Sequence, residues 1–599
     1  MARTGKRGPM EGRVTRHQSI VPQFGIREPR ARYIPRPGGY GVIFNEDGRI
    51  AVVLTPGGAF LPGGGQEPGE SAEHALVREA MEECGLRVSV GRSLGVADEL
   101  VFFVEERRHY RKRCTFFLAS VRASQTTVPK EVDHELQWLP VKQALSRLSH
   151  ESQRWALTLA KEKAPSAKRE PSRLSRTLDL LERYESRNVT FIDPEGGWPI
   201  VWKRASGVHV WDESSGRKYL DLTAAFGVAV AGHANTRVVQ AGRRQMGELL
   251  HAMGDVHPHA LKAELARELS RITFERWGQG SGKTIFTNSG FEAVEAALKS
   301  AFLLTGRARV IAFKGAYHGL GYGALNVTHR EHFRSPFRRQ LREFATFVDF
   351  PASKSELHAA LSSVRGALER GRFGAVLVEP VQARGGIRVP PAGFLKAVRA
   401  ACDDHNVPLI LDEIYSGFGR TGRWFACEHS HVAPDIICLG KALTGGFPLS
   451  ACVGRADLMD AAWPASSGEA IHTSTFLGHP VGCAMALANI HEIQRRSLVA
   501  AAAEKGAELL SMLRLIRSDK LRLNARGLGL MAGLEIRTRA GKPASSASLR
   551  LIKVLLQRGF IFLPEGEHAN VISFTPPLTI TSAQLKSSVK ALTEEIAAL

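Results

Sequence analysis

The sequence predicts an α/β protein built in two parts, and three observations carry that reading. Apolar strands at Ala375–Val378, Pro408–Leu411 and Asp435–Leu439 alternate with helical segments such as Glu292–Leu304. That is the pattern of a mostly parallel sheet with helices on both faces. Ahead of it, Gly41–Leu54 reads as two strands around an Asn45-Glu46-Asp47-Gly48 turn, followed by a glycine-rich loop and a helix over Ser71–Cys84, a small α+β unit. Between the two, Lys161–Ser175 (KEKAPSAKREPSRLS) loses apolar periodicity and turns to Lys, Arg, Pro, Ser and Ala, as a solvated linker does.

Composition excludes several classes. With 599 residues, 44% hydrophobic and 23% charged, the chain is too long for one core and otherwise an ordinary globular protein. Seven cysteines with no C-x-x-C pair point to reduced thiols in a cytoplasmic compartment and against a structural zinc site. No apolar run reaches the roughly 18 residues of a membrane span, and the first forty residues lack the apolar core of a secretory signal. The net charge of +21 invites a nucleic-acid reading, yet only residues 1–39 are densely basic, with 9 basic and 2 acidic side chains. Residues 40–160 hold 14 basic and 16 acidic. We therefore expect residues 1–35 to be a basic extension without fixed structure, and neither a membrane nor a nucleic acid as partner.

In the first part, Gly64–Leu86 reads GGQEPGESAEHALVREAMEECGL, which fits G-x5-E-x7-R-E-U-x-E-E-x-G-U with apolar Ala80 and Leu86 at U. Glu79, Glu82 and Glu83 are three and four apart, so they share one helical face. Such a cluster repels itself without a cation, and hard oxygen ligands that leave positions open for phosphate suit Mg²⁺. Over its full 23 residues this segment resembles the Nudix hydrolase signature. The resemblance extends over about 36–160, through Arg36-Pro37-Gly38-Gly39-Tyr40-Gly41 and His134–Pro140, and implies an α/β/α sandwich. It also implies Glu79, Glu82 and Glu83 as ligands of Mg²⁺ or Mn²⁺, Glu82 and Glu83 acting in catalysis, Glu70 assisting, and Arg78 orienting the carboxylates. The reaction implied is attack of water on a nucleotide-like diphosphate.

The second part holds four spaced segments. Phe286-Thr287-Asn288-Ser289-Gly290-Phe291-Glu292-Ala293 runs a strand through a Ser-Gly turn into a helix, whose first N–H groups form an anion site. Gly315-Ala316-Tyr317-His318-Gly319 sets an aromatic residue between glycines. Leu409-Ile410-Leu411-Asp412-Glu413 ends an apolar strand in carboxylates, at the edge where open α/β sheets bind ligands. Leu439-Gly440-Lys441-Ala442-Leu443-Thr444-Gly445-Gly446 places a lysine after a buried-looking strand, where its amine is desolvated.

Together these resemble the class III aminotransferases of fold-type I, which use pyridoxal 5′-phosphate (PLP). The resemblance runs from about Thr177 to Leu599, with a large domain near 225–490 and a small α+β domain from 176–224 plus 491–599. It implies Lys441 and Asp412 as catalytic and cofactor-binding residues, Ser289, Gly290 and Phe291 at the phosphate, and Tyr317 stacked on the ring. Thr473-Ser474-Thr475-Phe476 resembles a motif whose threonine, here Thr475, reaches the cofactor phosphate of a neighbouring subunit, which implies a homodimer.

Two positions depart from that family. Ser573 stands before Phe574-Thr575-Pro576-Pro577-Leu578, where members acting on ω-amino acids often carry a carboxylate-gripping arginine, and Arg384 follows Glu379 by five, where many place glutamate. Arg384 is therefore a candidate for holding an acidic substrate group. Gly278–Thr284 imitates a phosphate-binding loop but has Trp277 at the required first glycine and leads into a strand. The function expected is bifunctional: PLP-dependent transfer of an amino group from an amino acid or amine to a keto acid or aldehyde, plus metal-dependent diphosphate hydrolysis. The alternative is aminomutase, decarboxylase or lyase chemistry on the same cofactor, with the N-terminal unit sensing a nucleotide.

Overall fold

The computed structural model describes residues 21–29, 31–45, 49–103, 106–121, 134–163, 173–193 and 198–599. Most of the basic extension, the turn residues 46–48 and linker residues 164–172 lie outside the described residues. Contacts divide the chain into two units, Met1–Pro171 and Ser172–Leu599.

The sheet of the first unit runs Gln23–Phe24, Val88–Phe103, Arg108–Val121, Tyr33–Phe44, Ile50–Thr55, Gly58–Phe60, with Gly63–Gly65 paired to Tyr33–Phe44 and Glu135–Leu139 to Ile50–Thr55. It starts upstream of residue 36: Tyr33 already pairs in parallel with His109. Side chains alternate across it as strand geometry requires. Ala51 and Val53 pack with Leu76, Ala80 and Cys84 of the helix Ala72–Cys84, while Ile50 and Val52 pack with Ala156, Leu157 and Ala160 of the helix Glu151–Lys163. One helix on each face makes the sandwich. The helix Ala72–Cys84 starts where Ser71 Oγ accepts the His74 N–H (3.2 Å), and stops at Gly85, whose φ of 64° is left-handed.

The second unit is organised on a seven-stranded sheet in the order Gly282–Thr287, Ser450–Arg455, Ile436–Leu439, Leu409–Asp412, Phe373–Val378, Arg309–Phe313, Ala345–Val348. Ser450–Arg455 runs antiparallel to both its neighbours and the other pairings are parallel. Both faces are apolar, Leu409, Leu411 and Ile437 on one and Ile410, Ile436 and Cys438 on the other. The helix Gly290–Thr305 turns Ala293, Ala296, Ala297 and Ala301 inward, small residues that let it lie close to the strands. Sequence-distant segments share two smaller sheets: Lys218–Asp221 pairs in parallel with Phe560–Ile561, and Met531–Thr538 lies between Leu521–Leu528 and Val571–Phe574. All seven cysteines are free and buried. No helix among the described residues is long and apolar enough to cross a membrane.

Candidate active sites

At the C-terminal edge of the large sheet, Asp412, Lys441, Tyr317, Gly290, Phe291 and Arg384 line one cavity of about 330 Å³. Three of its parts come from loops that leave neighbouring strands, which is why residues far apart in sequence converge there. Asp412 is the last residue of its strand, and its carboxylate accepts the Ile414 N–H (3.1 Å) and lies 2.7 Å from His318 Nδ1. His318 is buried, and its Nε2 has no hydrogen-bond partner among the described residues.

Lys441 follows its strand in a left-handed conformation (φ 40°). Its Nζ sits 4.8 Å from the centre of the Tyr415 ring. Burial pushes the ammonium pKa below that of an ordinary lysine, against the opposing pull of Asp412 and Glu379. Glu379 accepts the N–H groups of Tyr317 (3.0 Å) and Ala383 (3.1 Å), and burial raises its carboxyl to about 7.

Gly290 and Phe291 begin their helix at the cavity wall, while Ser289 fixes the turn before it. Glu292 Oε2 accepts from Asn288 N (2.9 Å), Ser289 N (2.8 Å) and Ser289 Oγ (3.1 Å). Thr475 is exposed and does not line this cavity; its neighbour Ser474 has Oγ 3.4 Å from Asn288 Nδ2, beside that turn. Ser573 is buried and donates to Leu563 O (3.1 Å), so it serves its own sheet. Arg384 lies with Nη1 3.4 Å from Glu565 Oε2 and its guanidinium 5.7 Å from the Tyr317 ring centre. Glu565 is almost wholly buried, which pushes its carboxyl up to about 7 despite Arg384 and Arg330. Sequence reasoning missed His318 and Glu565. His318 had a signal, its place next to Tyr317; Glu565 had none.

These residues fit PLP. Asp412 is a buried, oriented carboxylate, Lys441 a desolvated amine on the same cavity, and Gly290 opens a helix whose first N–H groups suit a phosphate.

In the first unit, Arg78 gathers the acidic residues. It donates to Glu70 (3.1 and 3.0 Å), Glu79 (2.9 Å), Glu82 (3.2 Å) and the carbonyl of Gly65 (2.9 Å), and holds the Glu70 carboxyl below its ordinary range. Glu83 accepts the Gly63 N–H (3.1 Å). Glu79 and Glu83 line a cavity of about 880 Å³, whereas Glu82 faces Arg78 and is not part of that lining. Among the described residues no three His, Cys, Asp or Glu side chains are drawn into a metal-holding group. Arg78 supplies the positive charge for two of the three expected ligands. The donor set still fits magnesium, which keeps several waters and takes one or two carboxylates beside substrate phosphate.

Comparison with known proteins gives two family matches. Residues 192–596 match the model described as Aminotransferase class-III, and residues 35–159 match the NUDIX domain. Acetylornithine aminotransferase of Methanopyrus kandleri is 36% identical over 358 residues, 60% of this chain and 85% of that one. The 5-aminovalerate aminotransferase of Pseudomonas aeruginosa is 34% identical over 408 residues, 66% of this chain and 93% of that one. The crystal structure of a transaminase from Virgibacillus superposes with a TM-score of 0.65 at 26% identity, covering 70% of this chain and 98% of that one.

Proposed function

This chain belongs to the class III aminotransferases and carries a Nudix domain ahead of that region, and from that premise we propose a bifunctional enzyme. Its larger unit transfers an amino group from an amino acid or amine to a keto acid or aldehyde. Its smaller unit hydrolyses a nucleotide-like diphosphate with Mg²⁺ or Mn²⁺. The observation that carries the first activity is that Lys441 and Asp412 open on one cavity with a helix start and an aromatic ring.

Bound there, PLP would supply an electron sink for the carbon bearing the amine. Lys441 would hold it covalently, Asp412 would face its ring nitrogen, Tyr317 its ring, and Ser289, Gly290 and Phe291 its phosphate. His318 orients the Asp412 carboxylate, its Nδ1 lying 2.7 Å from that side chain. Burial lowers the Lys441 pKa and so favours the neutral amine, the form whose Nζ takes and returns a proton at the amine-bearing carbon. Relatives named for acetylornithine and 5-aminovalerate support donors with a terminal primary amine. Arg384, with Ser573 turned into its sheet, is the group we assign to an acidic end of the substrate. Thr475, exposed on this chain, fits a role across a homodimer made by the larger unit.

In the smaller unit, Glu79, Glu82 and Glu83 would hold the metal, and Arg78 would set their rotamers. The free, buried cysteines support a reducing, cytoplasmic setting.

The purified chain should exchange amino groups between a terminal-amine donor and a keto acid, and Lys441→Ala should lower that rate about 10²–10⁴-fold or more. Failure of exchange with every donor in a broad panel would overturn the aminotransferase activity. Release of nucleotide from a diphosphate substrate that persists in Glu82→Gln would remove the assigned hydrolytic site.

A further inference from the structure

Arg384 lines the active-site cavity of the second unit; behind it, outside that lining, stands a carboxylate that belongs to none of the motifs read from the sequence. Glu565 ends the strand Leu563–Glu565, which pairs with Val571–Phe574, and the Gly566 N–H donates to the carbonyl of Arg384 (3.1 Å). The two backbones are tied, so Glu565 stays within reach of the guanidinium. The contact between their side chains is nevertheless loose. Arg384 Nη1 lies 3.5 Å from one carboxylate oxygen and 3.4 Å from the other, against about 2.7–2.9 Å for a well-made charge-assisted bond. Only 2% of the Glu565 side chain is exposed, and its Oε2 has no hydrogen bond among the described residues.

A second guanidinium is as poorly served. Arg330 precedes the helix Glu331–Arg334 and rests over the Phe333 ring (5.1 Å), and its buried Nε has no hydrogen bond among the described residues. Burial and repulsion from Arg384 lower its pKa, while Glu565 and the exposed Glu567 pull the other way. The charged and titratable groups around Glu565 are thus Arg384, Arg330 and Lys441, with the phenols of Tyr415 and Tyr317. Burial outweighs the three cations and raises the carboxyl to about 7. A buried carboxylate that loses its partner is costly, so Arg384 can turn to another anion only if a second cation replaces it or a proton neutralises Glu565.

We infer that Glu565 is a positioning residue that sets substrate specificity: it holds Arg384 until a substrate carboxylate claims that guanidinium, and then passes to Arg330. The class selected is a substrate whose carboxylate is strong enough an anion to win Arg384 from an internal competitor, so that neutral groups leave the pair closed. This rests on the aminotransferase reading and on the part given there to Arg384, and it adds what regulates that contact.

The test is calorimetric titration of the PLP-loaded full chain with glutarate, a diacid with no amine or carbonyl to react. Its carboxyls titrate at about 4–5 and stay ionised from pH 6 to 8. At pH 8 Glu565→Gln should bind glutarate about ten-fold tighter than wild type, the removal of one competing charge-assisted contact; a gain of this kind cannot come from a damaged fold. The gap should close toward pH 6, where Glu565 of the wild type takes up a proton. Comparing the two proteins at each pH removes the contribution of Glu379, whose carboxyl also lies at about 7. Arg384→Ala should bind weakly, with no gain when Glu565→Gln is added. Arg330→Ala should weaken binding about ten-fold on its own and have no effect in the Glu565→Gln background. Equal affinities of wild type and Glu565→Gln at pH 8, a gain that survives Arg384→Ala, or no binding of glutarate by either protein would overturn the exchange. Wild-type affinity in Arg330→Ala would overturn the part of Arg330. If the affinities follow Glu565 while no amino group passes to any keto acid, the exchange stands and the aminotransferase reading falls; amino transfer with affinities indifferent to Glu565 gives the reverse.

Discussion

Asp412 and Glu413 are adjacent carboxylates with opposite surroundings. Asp412 faces the cavity and is paired with His318, whereas Glu413 turns inward and accepts the N–H groups of Ala426 (3.0 Å) and Cys427 (2.8 Å) and the Ser416 hydroxyl. Burial outweighs those bonds and raises the Glu413 carboxyl to about 7. A folded-state pKa above the unfolded one means stability that is complete below about 4.5 and lost as pH rises through 7. Glu413→Gln should therefore flatten the fall in stability between pH 5 and 7.5, by at most about 3 kcal/mol, as read from denaturant unfolding of both proteins. Arg384→Ala should raise KM about ten-fold for substrates with a second acidic group and leave kcat nearly unchanged, the signature of a lost binding contact. Equal KM values for acidic and neutral substrates in wild type and variant would exclude that role. At this scale the sequence showed what is local: Lys441 and Asp412 announce themselves by their own neighbours. His318 meets Asp412 across 94 residues and Glu565 meets Arg384 across 181, and no local pattern encodes such distances.

Among elements, the helix Ala72–Cys84 was legible because its cap, its apolar face and its terminal glycine all lie within the segment. Three strands at the centre of the large sheet, Phe373–Val378, Leu409–Asp412 and Ile436–Leu439, were legible as apolar runs. Two features were not. The pairing of Tyr33–Phe44 with Arg108–Val121 is parallel, so its register is set by distant chain and not by a turn. The three-residue strand Gly63–Gly65 is too short and too glycine-rich to show a period. Close approach explains two of its glycines, since a Cβ at Gly63 would meet the Gly39 carbonyl and any side chain at Gly64 meets the Glu79 carboxylate. Gly64→Ala should displace Glu79, cost about 1–3 kcal/mol and sharply reduce hydrolysis, while amino transfer by the same preparation is unaffected. Thermal unfolding with both assays on one sample checks this.

At the scale of the whole chain, two family regions at 35–159 and 192–596 lie within two separately packed units, Met1–Pro171 and Ser172–Leu599. The two proposed chemistries draw on different groups, carboxylates and a cation in one, a lysine and an organic cofactor in the other. A chelator should therefore abolish diphosphate hydrolysis and leave amino transfer intact, and added Mg²⁺ or Mn²⁺ should restore the first. Loss of both activities on chelation would contradict that independence. The +21 charge, the feature most suggestive of nucleic acid, is dense only over residues 1–39, and phosphorylated small molecules would account for the motifs of both units without a nucleic acid.

The parallel pairing of Leu220 with Phe560 and of Asp221 with Ile561 ties the start of the second unit to its end. On a ribosome, the first unit can close while the rest is still being made, because its contacts lie within its own stretch. The second cannot: an edge of its smaller sheet waits for Phe560–Ile561 to emerge, more than 330 residues after Lys218–Asp221. Until then Lys218–Asp221, already paired with His209–Asp212 on one side, leaves its other edge open, the kind of edge that invites aggregation. A premature stop near the C-terminus should thus yield a soluble hydrolase carrying an aggregation-prone remnant.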